Sequence, residues 1–205
     1  MADLDHSLSR NEAEKNSMGK AICVYCASSS SVDGAYLAAA RELGGAMAAR
    51  GRALVYGGGN MGLMGELARA ALAGGTHVTG VIPEALRAKS LALETVDEMI
   101  VTRTMHERKA VMSARADAFI ALPGGFGTFE EIIEAICHRQ LGLHGKPCVL
   151  LSVNDYFAPL VEQFERAFRE DFTDEVHRGN YYVSDCVVSA LDFVEAEWAK
   201  VPRCL

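Results

Sequence analysis

The chain has 205 residues, half of them hydrophobic, and a formal net charge of −7. That length is enough to bury a core without disulfides or metals. The charge and the lack of any long basic run argue against a nucleic-acid backbone as partner, and no apolar run nears the roughly 20 residues that span a bilayer.

The first 18 residues are polar and lack the apolar core of a signal peptide. They read as a disordered tail ahead of a single domain over 19–205, and a cytoplasmic location is the expectation. Ala21 to Cys26 reads as a first strand. Cys23 and Cys26 form a C-x-x-C, but residues three apart on a strand face opposite ways, which suits buried reduced thiols better than a metal. The other cysteines, Cys137, Cys148, Cys186 and Cys204, complete no zinc pattern. Ser31-Val32-Asp33 supplies caps for a helix to about Arg50, stopped by Gly51.

Ala53 to Tyr56 is a second strand leading into Gly57-Gly58-Gly59-Asn60, then a helix from Leu63 to Ala73 that ends at Gly74-Gly75. His77 to Ile82 is a third strand closed by Pro83, Glu84 to Leu93 a surface loop, and Met99 to Val101 a short strand. A helix covers Met105 to Ala116, with Asp117 as a structural residue at the start of the next strand. That strand, Ala118 to Leu122, enters the turn Pro123-Gly124-Gly125-Phe126-Gly127-Thr128, which opens a further helix. Pro147 to Ser152 is a strand, Asp155 starts a helix, Tyr181 to Val183 is a last strand, and a helix capped by Ser184 runs to Lys200. Strands alternating with helices imply right-handed crossovers: a single doubly wound, Rossmann-like parallel sheet with helices on both faces. Ligands of such a fold lie beyond the carboxyl ends of the strands.

Two glycine turns sit at strand ends. Gly57-Gly58-Gly59-Asn60-Met61-Gly62 formally matches G-x-G-x-x-G, but it follows the second strand, and no acidic residue closes the third strand to take a ribose hydroxyl. It reads as a mononucleotide contact through Gly58, Gly59 and Asn60, or as a tight turn. The second turn offers bare N–H groups at a helix N-terminus, a site for phosphate. No Walker loop is present. Thr128-Phe129-Glu130-Glu131 fits a capping box, so spacing alone makes Glu131 a cap. Phe129, Ile132, Ile133 and Ile136 form the expected buried face, with Glu130, Glu131 and Glu134 pointing elsewhere. In Met105-His106-Glu107-Arg108-Lys109, Arg108 and Lys109 read either as a phosphate or ribose clamp or as a solvated helix face.

Gly57-Gly58-Gly59-Asn60-Met61-Gly62-Leu63-Met64-Gly65, the Arg108-Lys109 pair, Pro123-Gly124-Gly125-Phe126-Gly127-Thr128-Phe129-Glu130-Glu131 and Gln140 to Pro147 occur in that order. Together they resemble the Lonely Guy (LOG) family of cytokinin riboside 5′-monophosphate phosphoribohydrolases. The resemblance implies hydrolysis of the N-glycosidic bond of an N6-substituted adenosine 5′-monophosphate to free base and ribose 5-phosphate. It makes Arg108 and Glu131 the catalytic pair. Lys109, Gly124, Gly125, Phe126, Gly127, Thr128 and Glu130 become candidate substrate contacts. It also implies a homodimer with sites near the interface, and it calls for no metal or organic cofactor. Two positions depart from the family pattern: Ser90 stands where many members carry a glutamate, and Cys137-His138 where plant relatives carry Thr-Trp. A rival reading is a nucleotide or phosphorylated-cofactor carrier of related fold without turnover. A lysine decarboxylase, a label attached to such sequences, would need a Schiff-base lysine, and neither Lys109 nor Lys146 has that setting.

Overall fold

A computed structural model describes residues 19–89 and 91–200; the expected N-terminal tail, Ser90 and Cys204 lie outside the described residues. The elements follow the expected alternation: β1 (Ala21–Tyr25), α1 (Gly34–Ala49), β2 (Ala53–Tyr56), α2 (Gly62–Ala73), β3 (Val78–Pro83), α3 (Glu84–Arg87), β4 (Glu98–Thr102), α4 (Met105–Arg115), β5 (Ala118–Ala121), α5 (Phe126–Gln140), β6 (Cys148–Leu151), α6 (Ala158–Arg169), β7 (Tyr182–Ser184) and α7 (Val187–Lys200). The strands form one sheet in the order β4-β3-β2-β1-β5-β6-β7, and every neighbouring pair is parallel. The chain starts at the centre with β1, winds out to β4, crosses back to β5 and winds out to β7. Between β1 and β5 the winding reverses, which opens a crevice at their carboxyl ends.

Side-chain alternation sorts the core into two layers. Ile22, Val24, Leu54, Tyr56 and Ile120 face α1, α2 and α7, packing with Leu43, Met47, Leu67 and Leu191. Cys23, Tyr25, Val55 and Phe119 face the other way, with Met112 of α4, Ile132 of α5 and Phe157 just before α6. Cys23 and Cys26 therefore lie on opposite faces, and burial pushes both thiols far above their ordinary range. Asp117 ties the sheet together. Its carboxylate accepts from the Ala21 N–H at 2.9 Å, and its carbonyl accepts from the Trp198 indole at 2.9 Å.

Helix limits follow local chemistry. The Asp33 carboxylate accepts from the Ala35 N–H at 2.8 Å to start α1, and Gly51, at φ 64°, ends it. Three expectations shift: Ser184 ends β7 instead of capping the last helix, which begins at Val187, and two more lie earlier in the chain. The stretch after Pro83 is not all loop: Glu84–Arg87 makes one helical turn. Asp155 does not start a helix; Val153–Asp155 is a 3₁₀ turn with Asn154 and Asp155 at positive φ, and α6 begins at Ala158.

The α1–α2 contact depends on Gly44, where an added Cβ would lie 2.4 Å from the Leu67 carbonyl oxygen. Backbone cannot yield as a side chain does, so Gly44→Ala should force the helices apart and cost about 1–3 kcal/mol. Urea unfolding of this variant against the parent measures it; an unchanged midpoint would show that the pair slides freely.

Candidate active site

The site grows from α4 and α5. Thr104 caps α4, its hydroxyl accepting from the Glu107 N–H at 3.1 Å, while the Glu107 carboxylate accepts from the Arg103 N–H at 2.9 Å. The hydroxyl half of the capping signature thus operates at Thr104, with the Glu107 carboxylate on the residue before the cap, and no part of it at Thr128 and Glu131. Helix α5 starts three residues sooner than that second pattern implies, at Phe126, with Gly125 as its cap and no side chain bonded to its N–H groups. Glu131 therefore lies in the second turn, too far along to reach back to the cap.

Counting from Phe126, the buried face of α5 is Thr128, Glu131, Ile132 and Ala135. Ile133 is exposed, contrary to expectation. Glu131 is 5% exposed, and its carboxylate accepts from Arg108 Nη1 at 2.5 Å. Arg108, likewise 5% exposed, also donates from Nε to the Val81 carbonyl at 3.0 Å. Burial pushes the Glu131 carboxyl above its ordinary value, and the Arg108 guanidinium opposes that shift.

Both side chains line a cleft of about 620 Å³ at the carboxyl ends of β1, β2 and β5. Three kinds of wall meet there. Gly125, Gly127 and Thr128 bring the bare N-terminus of α5, where the first N–H groups have no intrahelical acceptor. Met61, Met64, Ile82, Leu86, Leu91 and Met105 form an apolar side, and Ser28, Ser30 and Ser31 follow β1. Sequence reasoning missed the serines and the apolar wall. The signal was positional: residues directly after a strand at the winding reversal border the crevice.

The other candidates are placed differently. Gly59 and Glu130 line the cleft, whereas Gly58, Asn60, Gly124, Phe126 and Lys109 do not. Gly58 packs against β3, and the Asn60 N–H donates to the Leu91 carbonyl at 2.9 Å. The Gly124 carbonyl accepts from the Tyr156 hydroxyl at 2.5 Å. Phe126 stands 94% exposed at the head of α5. Lys109 bonds Glu130 and, at 3.1 Å, Glu134. His106 is exposed. Cys137 and His138 lie farther along α5 and outside the cleft lining.

Comparison with known proteins fits this arrangement. A family model described as "Possible lysine decarboxylase" matches residues 64–194. A probable cytokinin riboside 5′-monophosphate phosphoribohydrolase of Oryza sativa subsp. japonica, LOGL9, is 50% identical over 157 residues, covering 77% of this chain and 69% of that protein. The cytokinin riboside 5′-monophosphate phosphoribohydrolase LOG1 of Arabidopsis thaliana is 43% identical over 190 residues, covering 93% and 88%. The chain belongs to the LOG family. Among solved structures, the molybdenum cofactor carrier protein of Chlamydomonas reinhardtii shares the fold of this LOG chain, with a TM-score of 0.69 at 25% identity over 88% of this chain and 99% of that one.

Neither Lys109 nor Lys146 is set up to carry the decarboxylase label of the LOG family model. Donating a hydrogen bond to the Glu130 carboxylate raises the proton affinity of Lys109, the reverse of what an imine-forming amine needs. Lys146 Nζ donates to the Ser113 carbonyl at 2.7 Å.

Proposed function

We propose that the protein hydrolyses the N-glycosidic bond of an adenosine 5′-monophosphate, including forms carrying an apolar N6 substituent, to free base and ribose 5-phosphate. The observation that carries this is the buried Arg108–Glu131 pair facing the same cleft as the uncapped N-terminus of α5. Glu131 follows Gly125 by six residues, roughly 9 Å along a helix that rises ~1.5 Å per residue. A phosphate held by the N–H groups at Gly125 to Thr128 therefore leaves the ribose beside the carboxylate. The apolar wall offers a place for the base and its substituent, and the named activities of the relatives support the same reading.

The reaction needs little beyond these groups. As the C1′–N9 bond breaks, its electron pair leaves with the purine and positive charge builds on the ribose. A carboxylate near C1′ stabilises that charge. Water bonds to C1′, its proton passing to Glu131 and then to the departing base. Arg108 holds the carboxylate in place, and phosphate binding far from the breaking bond supplies the energy that positions the sugar. The proposal includes a homodimer, supported by Phe126 (94% exposed), Leu141 (65%) and Leu143 (68%) around α5, and a cytoplasmic setting, supported by the free thiols. No helix among the described residues is long and apolar enough to cross a membrane.

The test is incubation with AMP and with isopentenyladenosine monophosphate, followed by chromatography. Free base and ribose 5-phosphate are expected from both. Tight binding with both nucleotides left intact would replace this reading with a carrier, the role named for the Chlamydomonas neighbour.

A further inference from the structure

The two glycine turns differ where they face the cleft, although Gly124 of the second is itself packed, an added Cβ there lying 2.0 Å from Thr128 Oγ1. At Gly125 and Gly127 an added Cβ would meet nothing within 4 Å, so nothing in the packing excludes a side chain there. At Gly57 the same atom would lie 2.3 Å from Arg108 Nη2 and 3.1 Å from Met64 Cε. Gly58, at φ 74°, presses the turn onto β3, where a Cβ would come within 3.0 Å of Ile82 Cβ. That contact brings Gly57 alongside Val81, whose carbonyl receives Arg108 Nε.

We propose that the first glycine turn is the seat of Arg108, with Gly57 as the positioning residue that lets the guanidinium lie opposite Glu131. The inference rests on the reading of Arg108 and Glu131 as the reacting pair. The guanidinium is held at three points: Val81 behind it, Glu131 at one end and the bare Gly57 backbone beneath Nη2. A methyl group at position 57 removes the third. Arg108 lines the cleft, and a guanidinium displaced from the Gly57 backbone would have to leave its places on Val81 and Glu131. The glycine-rich sequence after β2 thus serves the pair from underneath, while the turn after β5 stays open to the anion.

Gly57→Ala is the test, with AMP as substrate. Misplacement of a catalytic group by about 1 Å costs up to ~10²-fold in rate, so kcat should fall at least about tenfold while KM stays within about twofold. Gly45→Ala, on α1 with nothing within 4 Å of the added Cβ, is the control and should leave both constants unchanged. A second measurement does not depend on activity. The Tm lost on Gly57→Ala should largely vanish in an Arg108→Ala background, because no guanidinium remains to collide. Wild-type kcat in Gly57→Ala, or the same Tm loss in both backgrounds, overturns the seat. If Gly57→Ala alone does not fold, a folded double variant supports the proposal, and a double variant that unfolds under conditions where Arg108→Ala alone stays folded overturns it. Full activity in Arg108→Ala would instead overturn the reaction reading, and the Tm comparison would still decide the seat.

Discussion

Replacing Glu131 by glutamine should lower kcat by about 10²–10⁴-fold, the range over which a positioned general base acts, with AMP binding held within a few-fold. Glutamine keeps the volume and an oxygen that can still accept from Arg108 Nη1, so the floor of the cleft survives. What it loses is the negative charge opposite the developing ribose cation and the site that takes the proton from water. The proposed phosphate anchor, Gly125 to Thr128, lies three to six residues earlier on α5 and should be unaffected. Steady-state kinetics, together with calorimetric titration of AMP into the variant, separates the two quantities. Activity within threefold of the parent would remove Glu131 from the mechanism.

Arg108→Ala should damage both stability and turnover. The pair is buried on both sides, with side chains 6% and 6% exposed, and breaking a buried pair from one side costs about 3–5 kcal/mol because the other charge is stranded. Here the stranded group can escape by binding a proton. Burial already raises the Glu131 carboxyl above its ordinary value, and Arg108 is the main influence pulling it back. Without Arg108 the folded-state value rises further above the unfolded one. Between those two values the folded protein binds more protons than the unfolded chain, so stability falls as pH rises through that window. The defect should therefore be largest at alkaline pH and shrink as acid protonates Glu131. Urea unfolding of parent and variant at pH 5 and pH 8 tests the sign. A difference that grows toward acid would mean the carboxylate is not what Arg108 stabilises. Turnover should fall by at least about 10²-fold at either pH, since preorganised electrostatic groups contribute on that scale.

Much of the architecture was legible because glycines and polar caps punctuate short apolar runs. β1, β2 and β5 fall where those runs fall, and the winding follows from alternation alone. The order of strands across the sheet required the structure, since no local pattern states which edge of β1 receives β5. At the site, Thr128 and Glu131 matched a capping pattern that Thr104 and Glu107 match equally well, and only the second pair forms its hydroxyl half. Gly127 is a poor helix former, which hid the first turn of α5. Once the helix is counted from Phe126, Thr128, Glu131, Ile132 and Ala135 fall at the spacing of a buried stripe, and the inward carboxylate becomes readable. The pairing of Lys109 was not readable, because its glutamates, Glu130 and Glu134, sit on another helix.

The central place of β1 also governs how the molecule is made. Its first residue paired with β5, Ile22, meets Ala118, 96 positions later in the chain. As the chain leaves the ribosome, β1 to β4 can zip together in sequence, but one edge of β1 stays open until residues 118–121 arrive. Long-range parallel pairing of this kind is slow, and an apolar strand edge waiting for its neighbour is a point of misassociation. Arg108 is synthesised just before that closing event and Glu131 just after it. Their ion pair can therefore form only after β5 has been made.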